Sequence, residues 1–149
     1  MKQNYYSLLL FLIISVLSSL GCNKTEPFFG EWVVSKVAGT SKISAMSEAE
    51  MKSFIGKRAE YNRTLATFDG ESCENPIYQK ESLSETDFFS NFRTSFENLD
   101  LKGNSVTLFN VYENQKTPWI NPGSYLIIKD NDTMITIWDG VFFELKRDR

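Results

Sequence analysis

From residue 28 onward, apolar side chains recur mostly at every second position, in short runs broken by glycine, asparagine, aspartate and proline. A period of two places alternate residues on opposite faces of a strand, and the interrupting residues are those that turn a chain. The pattern predicts strands over 28–37, 57–61, 64–68, 76–82, 106–112, 124–129, 133–138 and 141–146. Asp139-Gly140 between the last two is a strong hairpin signal. Asp130-Asn131-Asp132 and Lys102-Gly103-Asn104 read as turns, and Asp69-Gly70 closes the third strand. Two stretches carry a helical start instead. Ser47 with Glu50 three residues later forms a capping box, opening a short helix that would run to Ile55 and stop at Gly56. Ser84-Glu85-Thr86-Asp87 opens a second short helix carrying Phe88, Phe89 and Phe92. Residues 93–100 carry no clear period, and 71–76 read as an acidic turn.

Eight strands and two short helices make a mainly β chain. Eight antiparallel strands suffice to close a small barrel. The alternative is an α+β arrangement with an open antiparallel sheet. No repeat or low-complexity stretch divides 28–149, which is of a size for one domain with one core.

The first residues follow another rule. A single positive charge at Lys2 precedes a mostly apolar run over 5–17, too short and too serine-broken for a good bilayer span. It ends in Leu17-Ser18-Ser19-Leu20-Gly21-Cys22. This stretch resembles the processing site of bacterial lipoproteins, in which the cysteine becomes the first mature residue and carries the lipid. The resemblance implies a signal peptide over 1–21, lipid attachment at Cys22, a lipidated linker over 22–27 and a domain over 28–149. It implies export and anchoring in the bacterial cell envelope. Asn23, in place of the aspartate that retains many such proteins in the inner membrane, points to the outer membrane. Cys73 is the second cysteine of the chain. Lipidation of Cys22 leaves it alone as a structural thiol; a Cys22–Cys73 disulfide is the competing reading, and the two exclude each other.

Charge and chemistry narrow the function by subtraction. The formal net charge is −3, with acidic and basic residues interspersed and no basic block, so nucleic acid is not an expected partner. The chain contains no histidine. That removes Ser-His-Asp and Cys-His catalysis and histidine-based zinc sites. No Ser-x-x-Lys motif or glycine-rich phosphate loop is present. Asp130-Asn131-Asp132 offers oxygen ligands but lacks the glycine and distal glutamate of a calcium loop, and turn chemistry explains it. No catalytic residue, metal or cofactor is expected, and the chain is not read as an enzyme.

Phe29-Gly30-Glu31-Trp32 resembles the Gly-x-Trp opening strand of lipocalin-like barrels. In that family the tryptophan plugs the closed end and a basic residue after the last strand packs across its ring. The resemblance implies that Trp32 and Arg147 form such a barrel-closing pair. It also implies a binding module for a small apolar ligand. Trp119 lies between Pro118 and Pro122 in a loop joining strands, where an aromatic ring can contact a ligand or cap the barrel. A second functional class stays open: an envelope protein–protein interaction module, such as an inhibitor of a lytic enzyme. The carrier reading predicts a cavity lined by strand residues. The interaction reading predicts a filled interior and a protruding loop over 114–123.

Overall fold

The computed structural model describes residues 25–149. The expected signal segment and Cys22 lie outside the described residues. The described chain is mainly β, with strands β1 (Gly30–Thr40), β2 (Arg58–Tyr61), β3 (Leu65–Phe68), β4 (Glu71–Glu74), β5 (Ile77–Ser84), β6 (Ser105–Tyr112), β7 (Tyr125–Ile128), β8 (Thr133–Trp138) and β9 (Val141–Arg147). Helix α1 (Glu48–Ser53) follows β1, and α2 (Glu85–Phe92) follows β5, with a 3-10 turn at Glu97–Leu99. Ser47 and Glu50 make the reciprocal capping box, and Ser84 caps α2.

All nine strands belong to one sheet, ordered β4-β3-β2-β1-β9-β8-β7-β6-β5, and every paired neighbour is antiparallel. Each strand therefore pairs with its sequence neighbours, β1 pairs with β9, and the ring is broken only between β4 and β5. The sheet curls into a half-barrel. The expectation of eight strands is corrected here: residues 71–74 are a strand, although their Glu-Ser-Cys-Glu sequence reads as a turn. The reason is local. Asp69 (φ 51°) and Gly70 (φ 90°) both take positive φ, the geometry of a tight two-residue hairpin, and β4 pairs back onto β3 from Phe68↔Glu71 to Leu65↔Glu74.

The ninth strand has a topological effect. In an antiparallel order, strands at odd positions all run the same way, so with nine strands the two edges run in the same direction. The chain passes from β4 to β5 through Asn75 and Pro76 alone, without reversing. Two codirectional edges cannot pair as a hairpin, and parallel pairing needs a long crossover.

Side chains hold this corner instead. The Tyr78 hydroxyl on β5 donates to the Asn62 carbonyl at 2.8 Å, and the Cys73 thiol on β4 donates to the Tyr112 carbonyl at 3.8 Å. Behind them the concave face is filled by Phe28, Trp32, Tyr61, Phe68, Phe109, Val111, Met134, Phe143 and Leu145. The convex face is covered as well, where α2 and the 3-10 turn lay Phe88, Phe96 and Leu99 over Leu108, Ile127, Ile135, Ile137 and Phe142. This double cover makes β8 and β9 almost continuously buried rather than alternating. On the same convex face Glu144, 5% exposed, pairs with Lys129 at 3.2 Å, and Lys129 also donates to the Leu99 carbonyl.

Candidate functional site: a cleft beside the entry to the first strand

The segment entering β1 is held by one arginine. Arg147 pairs with Trp32 across the β1–β9 ladder, and its Cζ lies 4.3 Å from the centre of the Trp32 ring. Its Nη1 and Nη2 donate to the carbonyls of Phe29 and Pro27, each at 2.8 Å, and its Nε donates to the Asn131 carbonyl at 3.1 Å. The Trp32 indole N–H donates to the Phe28 carbonyl at 2.8 Å. The Gly-x-Trp spacing now has a physical basis. Gly30 sits at φ 127°, and a Cβ there would lie 2.7 Å from Arg147 Nη1, so only glycine admits the guanidinium.

Thus fixed, Phe28 is fully buried in the half-barrel. Its ring lies 4.5 Å from Phe109, 4.7 Å from Tyr78 and 6.3 Å from Tyr61, joining the β2 side to the β5–β6 side. Beside this aromatic plug lies a cleft of about 630 Å³. Its apolar wall is Phe29, Tyr78, Phe109 and Ile128; Thr25, Glu26 and Pro27 form one rim, and Arg63, Lys80 and Thr107 supply polar groups. Lys80 stands opposite Phe109 in the β5–β6 register, with its ammonium 5.9 Å from the ring centre.

Burial pushes the Tyr78 hydroxyl well above the usual tyrosine range; Cys73 raises it further, and the bond to the Asn62 carbonyl only partly opposes this. Tyr78 therefore keeps its proton at neutral pH. Burial, and secondarily Glu113, likewise push the Cys73 thiol up. Cys73 is a free, buried thiol, without the electropositive surroundings that make a reactive thiolate. Among the described residues, no group of three or more carboxylates and thiols could hold a metal ion.

Trp119 is mostly buried and also lines a small hollow beside its loop. It is 5% exposed and packs in the concave cluster, with its backbone N–H donating to the Val111 carbonyl at 3.0 Å. The exposed apolar residue of its loop is Ile120, 80% accessible. Gly123 at the loop's end, φ 98°, admits the Tyr61 hydroxyl, which donates to the Gly123 carbonyl at 2.9 Å; a Cβ there would lie 2.6 Å from that oxygen. A smaller hollow of about 380 Å³ opens beside the loop, lined among others by Pro118, Ile120, Tyr125 and Trp138.

Sequence reasoning singled out Trp32 and Arg147, which meet, but not Tyr78, Lys80 or Phe109, which line the cleft. Their signal is the period of two: 78 and 80 share one face of β5, and 107 and 109 share the matching face of β6. Comparison with protein-family models, with curated proteins and with solved structures finds no match to this chain.

Proposed function

We propose that the protein is a non-enzymatic binding module, lipid-anchored through Cys22 in the bacterial cell envelope, that holds a small apolar ligand in the cleft beside the entry to β1. The observation that carries this reading is the cleft itself. Its volume falls in the range of small-molecule sites, and an aromatic wall with a few polar groups is the usual lining of one. The ring-like strand order and the Gly30–Trp32–Arg147 constellation support a lipocalin-like ancestry of the fold. The outer membrane, inferred from Asn23, is the proposed location.

A second reading has its own observation. Ile120 protrudes beside Tyr125, 41% exposed, over the smaller apolar hollow. That is the form of a contact for an envelope protein, such as a lytic enzyme held in check.

Native mass spectrometry of the full-length protein released gently from membranes tests both parts together. The expected species lacks residues 1–21, carries an acylglycerol on Cys22 and retains a non-covalent small molecule. An unacylated mature chain would sink the anchor. A chain without a small molecule that co-purifies with an envelope protein, and loses it on Ile120→Asp, would favour the second reading.

A further inference from the structure

We infer that the free edge of β5 receives an extended segment of another protein as a tenth, antiparallel strand, and that this segment carries a basic residue followed by an acidic one. The inference uses the backbone edge of β5 and holds whether or not the cleft takes a ligand.

The two edges of the sheet are unlike. β4 has four residues with a carboxylate at each end, Glu71 and Glu74, and it stops at Asn75, whose φ is 50°. Short, charged edges of this kind resist further pairing. β5 is eight residues long, and all eight, from Ile77 to Ser84, pair with β6 without a register shift. It contains no proline or glycine. Residues 79–82 are exposed in succession, so both faces of the strand are open there. Among the described residues no strand lies on its outer side. A row of outward N–H and C=O groups along a regular strand is a template for another strand, with main-chain hydrogen bonds supplying the affinity. Because β4 and β5 point the same way, a strand antiparallel to β5 is antiparallel to β4 as well and enters the break in the ring without a conflict of direction.

A second copy of the chain fits this edge badly. Two β5 strands joined in one sheet would be antiparallel and related by a two-fold axis. Directly opposed residues share a face, and neighbours along a strand do not, so the two opposed residue numbers must add to an even total. The even registers that pair the most residues are centred on 80 and on 81. One sets Lys80 against the second copy's Lys80, and the other sets Glu81 against the second copy's Glu81. Like charges directly opposed destabilise a strand pair.

The same two side chains select a foreign strand. Lys80 and Glu81 are exposed and lie on opposite faces of β5. An incoming antiparallel strand places its residue opposite Glu81 immediately before its residue opposite Lys80. A basic residue followed by an acidic one satisfies both positions, whereas the reverse order opposes like charges twice.

The test uses the full-length protein in detergent with two fluorescent eight-residue peptides of valine and threonine. One carries Arg-Glu at its fourth and fifth positions and the other carries Glu-Arg. Anisotropy is expected to show the Arg-Glu peptide binding at least about fivefold more tightly, since both cross-strand pairs change sign. Lys80→Glu and Glu81→Lys made together leave the net charge unchanged and should invert the preference. Hydrogen exchange over 77–84 should slow with saturating Arg-Glu peptide. Only alternate N–H groups of a strand face its neighbour, so N-methylation of every second peptide residue should abolish binding in one phase and spare it in the other. Binding of neither peptide at about 1 mM, equal affinity for the two, or no inversion in the exchanged variant would overturn the inference. Equal effects of the two N-methylation phases would do so too, by showing side-chain contact without strand pairing. A dimer in sedimentation that the Arg-Glu peptide splits would assign the edge to a second copy and overturn the foreign occupant.

Discussion

Tyr61 links ionisation to folding at a single site. It is fully buried, donates to the Gly123 carbonyl, and burial holds its hydroxyl far above the usual tyrosine range, with Tyr78 adding to the shift. A raised folded-state value means that the folded protein keeps the proton while the unfolded chain gives it up. The contribution is therefore intact below about pH 10, the unfolded tyrosine value, and is lost as pH climbs beyond it. Stability should fall above pH 10 by about 1.4 kcal/mol per pH unit for this one group. Urea unfolding between pH 9 and 11.5 measures it, and Tyr61→Phe should flatten the slope. An equal slope in that variant would show that the hydroxyl is solvated. The sequence placed Tyr61 at a strand end but gave no hint of Gly123, because a contact across 62 residues leaves no local pattern.

Among the elements, the short ones were legible where chemistry is local. Ser47 with Glu50 and Ser84 with Asp87 named both helix starts, because a cap bonds within a few residues of itself. Asp139-Gly140 named its hairpin for the same reason. β4 escaped because its inward residue is the single Cys73 flanked by Ser72 and Glu74, too little alternation to register. The 3-10 turn after α2 escaped because tertiary contacts place it. Leu99 packs into the convex cluster, and its carbonyl accepts from Lys129. Lys129 in turn lies 3.2 Å from Glu144 in a nearly dry setting. Glu144→Ala would leave a buried ammonium without its main partner and should cost about 3 kcal/mol in chemical denaturation. Replacing both residues together, Lys129→Met with Glu144→Leu, should recover most of that loss. A single variant within about 0.5 kcal/mol of wild type would show that water already reaches the pair.

For the whole molecule, two covers on one sheet create a gradient of protection. β8 and β9 are sealed on both faces, whereas β4 and β5 each leave one side of their backbone without a ladder partner among the described residues. Native-state hydrogen exchange should be slowest over 134–137 and 142–145 and fastest along the two edges. Uniform protection across all nine strands would mean that the edges are covered in solution. The mainly β class and the final three-strand meander were readable from period and turns alone. The break in the ring was not, since it depends on whether the strand total is even or odd. One undetected four-residue strand changes that parity.

Parity also determines how the opening responds to mutation. Substitutions in β4 or β5 can loosen the corner or reshape the cleft. None of them reverses an edge, so none can anneal the half-barrel into a closed antiparallel cylinder. Only the gain or loss of a whole strand could do that. The opening is thus buffered against point mutation: no single substitution in β4 or β5 turns the two codirectional edges into an antiparallel pair.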